Sequence, residues 1–249
     1  MQGTPDICIF DSLEEFERKS AEEIVHLMQG SLRDRGACTV VLSGGETPKG
    51  IYRRLGSDPL KHLLDWSRVS VFFSDERCVS PDDPQSNYGM VQRELISHVG
   101  IAPRNVHRIS GESSPEEAAI RYEKVLRTVY SPGPPRFDVV LLGMGSDGHT
   151  ASLFPATDAL GEENRWVREV FVPHLNASRV TLTFPAINSG REVLILATGL
   201  SKAPMVERVL SVQAPTKALP ITLVRPAEGS LRWRFDKQAA SKLSIPNSP

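Results

Sequence analysis

Residues 138–155 read DVVLLGMGSDGHTASLFP, and this stretch decides the fold. The apolar run VVLL is short and ends in a glycine-rich segment that carries Asp147, His149 and two hydroxyl side chains. A short apolar run bounded by glycines is typical of a buried strand, and the polar residues after it are typical of a loop. We therefore predict a strand at the start of the stretch and a chemically active loop after it.

The rest of the chain alternates between helical and strand patterns. Ser12 or Asp11 is predicted to cap a first long helix that Gly36 ends, residues 113–117 are predicted to start another helix, and a short helix is predicted in the tail. The other predicted strands cover residues 7–10, 38–42, 69–73, 106–109, 167–172, 179–183, 193–197, 219–224 and 231–235. Since neither a repeat nor a low-complexity linker interrupts this order, we predict one α/β domain over residues 1–249 with a largely parallel sheet.

Composition and charge exclude several classes of function. The net charge of -1 provides no overall field for nucleic acid or an anionic membrane, so any specificity for anions must be local. Three widely spaced cysteines without a CxxC pair argue against a disulfide framework and a structural zinc site. The sequence has neither a signal-peptide pattern at Met1 nor an apolar run long enough to span a bilayer. We therefore expect a protein of the reducing cytoplasm.

Four predicted strands end in glycine-rich or polar segments, at 43–45, 75–77, 143–149 and 199–202. Open α/β sheets bind ligands outside the carboxyl ends of their strands. The glycine turn at 43–45 either cradles a phosphate with its backbone N–H groups or serves only as a tight turn. It lacks the G-x-G-x-x-G spacing of a dinucleotide site and is not a P-loop.

Basic residues near these strand ends point to an anionic ligand only if they meet. Arg77 alone is better explained by a surface ion pair with Asp75 or Glu76, and Arg179 and Lys202 alone are explained by solvated surface charges. If they share one crevice, a phosphorylated small molecule is the common ligand that fits them.

His149 is the strongest candidate for acid–base chemistry. Histidine exchanges protons near neutral pH, and Asp147, two residues earlier, is placed to orient His149 or to favour its charged form. The alternative is a histidine whose nitrogens only satisfy the loop backbone. A dedicated metal site is not expected, because only two potential ligands, Asp147 and His149, lie close together in the sequence. A serine hydrolase is not expected either, because the sequence has no G-x-S-x-G motif before a helix.

These motifs resemble those of the 6-phosphogluconolactonases, which hydrolyse 6-phospho-D-glucono-1,5-lactone in the oxidative pentose phosphate pathway. The resemblance covers nearly the whole chain, and the ordered set is more specific than any single motif. The motifs are SGGETP (43–48), DER (75–77), SNYG (86–89), GMGSDGHTASLFP (143–155), RVTLT (179–183) and GLSKA (199–203).

The resemblance implies a three-layer αβα sandwich with a modified Rossmann-like, mainly parallel sheet and no nucleotide cofactor. This is the fold of glucosamine-6-phosphate deaminases and ribose-5-phosphate isomerases. It also implies that His149 is the general base on the attacking water, with Asp147 beside it, and that Arg77, Arg179 and Lys202 surround the phosphate or the developing charge. The predicted substrate-binding residues are Ser43, Gly44, Gly45, Thr47, Asp75, Arg77, Gly145, Arg179 and Lys202.

The expected ligand is a phosphorylated sugar lactone, bound without a metal by a monomer or weak homo-oligomer that has no nucleic-acid or membrane partner. A deaminase is the first alternative. Its related loop continues after Asp-Gly-His with a hydrophobic residue and Ala-Phe-Asn-Glu-Pro, where this chain has TASLFP at 150–155. Deaminases also have Asp-Glu-Tyr where this chain has Asp-Glu-Arg at 75–77. Both differences favour the lactonase. A non-catalytic sugar-phosphate sensor is the second alternative, and it needs a further domain for which this chain leaves no obvious room.

Overall fold

The structure, a computed structural model that describes residues 6–243, is built on a six-stranded sheet. The strand order is β1-β9-β8-β5-β2-β3, and every neighbouring pair in it is parallel. The α/β class and the mainly parallel sheet are therefore confirmed. In chain order, the strands of the described residues are β1 (Asp6–Phe10), β2 (Cys38–Leu42), β3 (Val69–Phe73), β4 (Asp75–Arg77), β5 (Val139–Gly143), β6 (Val167–Val172), β7 (Ala177–Leu182), β8 (Glu192–Ala197) and β9 (Ser230–Asp236).

Helices connect these strands, and their ends agree with the capping signals. Ser12 accepts a hydrogen bond from the backbone N–H of Glu15 at 3.1 Å, and Gly36 ends the first helix in the left-handed region at φ 76°. Ser114 caps the fourth helix in the same way, with Pro115 in its first turn. The α-helices of the described residues are α1 (Leu13–Arg35), α2 (Glu46–Leu55), α3 (Asn87–Glu94), α4 (Pro115–Tyr130), α5 (Phe184–Ile187) and α6 (Ala203–Ser211).

A second, antiparallel sheet of order β4-β7-β6 joins the carboxyl edge of the main sheet. Ser74 links the two sheets, because its N–H donates to Leu42 O at 2.9 Å and its carbonyl accepts from Leu182 N at 2.7 Å. The helix α4 packs on β6 and β7. The segment 75–77, expected only as the polar end of a strand, is thus a strand of its own beside that edge.

Three sequence-based predictions of local structure are wrong. Of the predicted strand 106–109, only Val106 pairs, in an isolated bridge with Val71, because turns at residues 109–113 bend the chain away. The predicted strand 219–224 contains a 3₁₀ helix, Pro220–Leu223, since a proline has no N–H to offer a strand ladder. The predicted tail helix is a series of turns over residues 237–243, and its remainder lies outside the described residues.

The apolar residues of both sheets form one core cluster. It joins strand residues such as Val140 and Leu194 of the main sheet to Val170 and Val180 of the small sheet, all of them buried. Among the helices of residues 6–243, none combines the length and the apolar character needed to cross a membrane.

Candidate active site

A cavity of about 460 Å³ lies at the carboxyl edge of the main sheet. The loops after β2, β5 and β8 and the strand β4 contribute to its walls, as expected for strand ends in an open α/β sheet. Its volume suits a small organic ligand, for which pockets of roughly 300–1,000 Å³ are usual. The predicted site residues that line it are Ser43, Gly44, Gly45, Thr47, Asp75, Arg77, Gly145, His149 and Lys202.

His149 and Asp147 form a directly bonded pair. Nδ1 of His149 lies 2.6 Å from Oδ1 of Asp147, and the same oxygen accepts the backbone N–H of His149 at 3.1 Å. Burial acts to raise the pKa of Asp147, but the hydrogen bond and charge of His149 outweigh it and lower that pKa to about 2. Asp147 is therefore a carboxylate at neutral pH, which holds a proton on Nδ1 and leaves Nε2 as the ring nitrogen able to accept another.

Gly145 makes room for this pair. A Cβ atom at this position would lie 2.1 Å from Nδ1 of His149 and 2.6 Å from Oδ1 of Asp147. The backbone N–H of Gly145 donates to the carbonyl of His149 at 2.8 Å, which closes the loop. Glycine is thus needed here because the imidazole and the carboxylate occupy the space of a side chain.

The glycine turn after β2 leaves the start of α2 open to the cavity. Tyr52, fully buried in α2, fixes the turn by donating its hydroxyl to Ser43 O at 2.8 Å and accepting from Ser43 N at 3.0 Å. Gly45 is the N-cap of α2 and provides no side-chain cap for the first N–H groups of that helix. Unsatisfied N–H groups at a helix N-terminus attract anions, so this wall can hold a phosphate.

Asn87 supports the same turn, although it was not among the predicted site residues. Its Nδ2 donates to the carbonyl of Asp75 at 2.9 Å, and a Cβ added to Gly44 would lie 1.7 Å from its Oδ1. Gly44 is therefore required by the close approach of Asn87, which also lines the cavity. The only signal for Asn87 in the sequence was its place in the SNYG motif.

Two buried carboxylates, those of Asp75 and Glu76, stabilise the wall of the cavity beside Arg77 through hydrogen bonds. Asp75 accepts from the hydroxyl of Ser152 at 2.6 Å and from that of Ser74 at 3.1 Å, so most of its hydrogen-bonding capacity is already used. Glu76 accepts the backbone N–H groups of Asn87 at 2.7 Å and Tyr88 at 2.8 Å, which anchors the start of α3. Burial raises the pKa of Glu76 against these hydrogen bonds. Asp75 lines the cavity, and its contact with substrate stays a prediction.

The basic residues of the site are not neutralised by protein carboxylates. Within residues 6–243, Arg77, Arg179 and Lys202 form no ion pair, so the surface ion pair considered for Arg77 is absent there. Arg77 instead donates to the backbone carbonyl of Gln85. Burial lowers the pKa of Lys202, and the charge of Asp147 acts in the opposite direction. Arg77 and Lys202 line the cavity without a salt bridge to a protein carboxylate, and this favours an anionic ligand.

Arg179 does not line this cavity. It is the register partner of Arg77 across β4 and β7, and it lines a neighbouring cavity with Cys78 and Ser178. Burial lowers the pKa of Arg179, and the nearby charge of Arg77 lowers it further. Like charges opposite each other on paired strands repel, so an anion between or beside them would relieve the repulsion. Binding of substrate by Arg179 stays a prediction.

Further residues of the cavity were missed. Thr198 follows β8, and its hydroxyl lies 3.0 Å from that of Thr47, which joins two of the strand-end loops. The rule that ligands bind at strand ends was a sufficient signal for Thr198. Met144 and Ser146 also line the cavity, inside the motif that was used for His149.

The fold and the site together define an α/β protein that binds a small anionic ligand at the carboxyl edge of a parallel sheet, beside a histidine–aspartate pair. The chain belongs to the family described as Glucosamine-6-phosphate isomerases/6-phosphogluconolactonase, which matches residues 11–233. The resemblance in the sequence motifs is thereby confirmed.

Relatives within this family carry the lactonase name. Probable 6-phosphogluconolactonase 1 of Arabidopsis thaliana is 37% identical over 251 residues, which cover 96% of this chain and 93% of that protein. The 6-phosphogluconolactonase of Nostoc sp. is 35% identical over 232 residues, covering 91% and 93%. The structure of 6-phosphogluconolactonase from Trypanosoma cruzi superposes with a TM-score of 0.85 at 31% identity and covers 98% of this chain and 99% of that chain.

Proposed function

We propose that this chain hydrolyses 6-phospho-D-glucono-1,5-lactone to 6-phospho-D-gluconate, the second step of the oxidative pentose phosphate pathway. One observation carries the proposal: His149, which is hydrogen-bonded to Asp147, lines the same cavity as Arg77 and Lys202, two cations that form no ion pair within residues 6–243. A base beside a cationic pocket fits a substrate that has a reactive carbonyl at one end and a phosphate at the other. The names of the relatives support this choice within the family.

His149 acts as the general base. Asp147 occupies Nδ1, so Nε2 takes a proton from a water molecule as its oxygen attacks the lactone carbonyl carbon. The carbonyl π bond breaks and its electrons form a tetrahedral oxyanion. When the oxyanion collapses, the bond from carbon to the ring oxygen breaks and the leaving oxygen takes the proton back from the imidazolium. The product is an open-chain acid, which ionises to 6-phosphogluconate.

Positive groups stabilise the two negative charges of the reacting substrate. Arg77 and Lys202 line the cavity and contact the phosphate or the developing oxyanion, and Arg179 on the paired strand β7 adds its charge from beside Arg77. The uncapped N-terminus of α2 at Gly45 and Thr47 adds backbone N–H groups. A firmly held phosphate also orients the lactone over His149, because binding energy from a non-reacting part of the substrate serves to position the reacting part.

The proposal includes the setting of the enzyme. The chain works in the cytoplasm as a single-domain monomer or weak homo-oligomer, on a phosphorylated sugar lactone and without a nucleic-acid or membrane partner. The small net charge of -1 supports the absence of a general affinity for polyanions.

Direct assay of two substrates tests the activity. Freshly prepared 6-phosphogluconolactone and glucosamine 6-phosphate are each incubated with the purified chain, and acid release or ammonia release is followed in time. The spontaneous hydrolysis of the lactone is subtracted. We expect turnover of the lactone alone, and turnover of glucosamine 6-phosphate alone would show the proposal to be wrong.

A further inference from the structure

We infer that Phe154 is a positioning residue that fixes the plane of the His149 imidazole for proton transfer; this rests on the proposed role of His149. The ring centroids of Phe154 and His149 are 4.0 Å apart, and the two planes are tilted by 32°. Phe154 is only 5% exposed, and it does not line the cavity at the carboxyl edge. Phe154 therefore influences the reaction through its contact with His149 and not through a contact with the substrate.

The bond to Asp147 restrains the plane of the imidazole only in part. The terminal torsion of a histidine side chain has broad minima, so one hydrogen bond at Nδ1 leaves the ring some rotation about the Cβ–Cγ bond. Such rotation turns the lone pair of Nε2 away from the attacking water. The phenyl ring against the imidazole blocks this rotation, while the absence of a side chain at Gly145 lets the imidazole lie close to the loop backbone.

A tight turn brings Phe154 back onto His149. Leu153 N donates to Thr150 O at 2.9 Å, and the Thr150 hydroxyl donates to Gly143 O at 2.8 Å. Ala151 in this turn has a φ of 49°, a left-handed conformation that a non-glycine residue adopts at a cost. Such a conformation persists only where the surroundings enforce it. Here the turn reverses the chain, so that Phe154 packs against His149 although it lies five residues later in the sequence.

Phe154 is itself held in place. It belongs to the apolar core, and its ring also contacts the ring of His174 edge-on, with centroids 5.7 Å apart and an interplanar angle of 67°. A fixed phenyl face gives a second benefit, because an aromatic face attracts a cation within about 6 Å of its centroid. The imidazolium that forms during the reaction is such a cation.

Phe154→Leu tests the role, with Phe184→Leu as the matched control. Phe184 is a buried core phenylalanine, 9% exposed, that does not line the cavity. We expect kcat of F154L to fall about tenfold or more while KM changes less than about twofold, since a misplaced catalytic group costs up to roughly 10²-fold in rate. F184L is expected to keep the wild-type kcat. If F154L does not fold, Phe154→Met provides the same comparison.

NMR of the imidazole C–H groups gives a readout that does not depend on activity. The ring current of Phe154 displaces the His149 resonances, which the spectrum of H149Q identifies, and F154L is expected to shift them while F184L does not. An unshifted resonance in F154L, a wild-type kcat in F154L, or an equal loss of kcat in both variants would overturn the role. Failure of the proposed function is distinguishable, because the wild-type chain would then not turn over the lactone, and failure of the base role alone would leave H149Q with the wild-type kcat.

Discussion

At His149, one hydrogen bond decides which ring nitrogen is free for chemistry. Asp147 holds Nδ1 at 2.6 Å, and among the described residues Nε2 has no hydrogen-bond partner. The carboxylate keeps its charge far below neutral pH, because its pKa is lowered to about 2. The carboxylate beside the ring and the free Nε2 together suit a base that gains and then returns a proton.

His149→Gln is expected to lower kcat by about 10²–10⁴-fold, the usual contribution of a positioned general base. Binding of 6-phosphogluconate should change little, because glutamine keeps a polar side chain and the phosphate contacts lie on other residues. Steady-state kinetics and calorimetric titration with the product measure the two quantities. His62→Gln is the control, since His62 is exposed and pairs with Asp58 on the surface. A wild-type kcat in H149Q would exclude His149 as the base.

At the scale of elements, the short strand β4 sets the basic side of the cavity. It pairs with β7, and Glu76 at its centre anchors the start of α3, so the direction of Arg77 is determined by three elements. The strand order places this small sheet next to the ends of β2 and β3. Arg77 thereby lines the same cavity as the glycine turn, although more than thirty residues separate them.

Arg77→Ala is expected to weaken the binding of 6-phosphogluconate about ten- to a hundredfold, because a hydrogen bond to a charged group contributes about 1.5–3 kcal/mol. The lactone should show a raised KM with a smaller change in kcat. Calorimetric titration with the product measures the affinity directly. Arg33→Ala is the control, since Arg33 is exposed and pairs with Asp34 on the surface. Unchanged affinity of R77A for 6-phosphogluconate would contradict the proposed binding of the phosphate by Arg77.

At the scale of the whole molecule, the two sheets share one apolar core. Buried residues of the small sheet, such as Val167 and Leu182, belong to the same cluster as Phe137 and Ile195. A shared core couples the unfolding of the elements that contribute to it, because neither sheet can lose its neighbours without exposing apolar surface. This supports the proposal that the chain folds as a single domain.

We expect the two sheets to unfold in one transition. Trp233 lies in β9 of the main sheet and Trp166 directly precedes β6 of the small sheet, so each reports on one sheet. In variants that lack Trp66 and retain only one of these two tryptophans, the fluorescence midpoints in urea should coincide with each other and with that of far-UV circular dichroism. Two separated midpoints, measured in variants of equal overall stability, would show that the sheets are independent domains.

Much of the fold could be predicted from the sequence because its signals are local. The strand β2 lies where the apolar run predicted it, and the long helix lies between Ser12 and Gly36 as predicted. The predictions failed where a local pattern competes with tertiary contacts. Residues 219–224 are apolar enough for a strand, but Pro220 interrupts the pattern and Ile221 N donates to the carbonyl of Gly148.

The sequence by itself determined that the reactive groups lie at strand ends, because in a parallel sheet the polar segments after the strands gather at one edge. It thereby indicated His149, Asp147, Arg77 and Lys202 before any distance was known. Only the tertiary structure decided what surrounds them: Asn87 against Gly44, Arg179 beside the neighbouring cavity, and Phe154 on the imidazole of His149. These contacts depend on the directions that packing imposes on turns and side chains, and the spacing of residues in the sequence does not predict those directions.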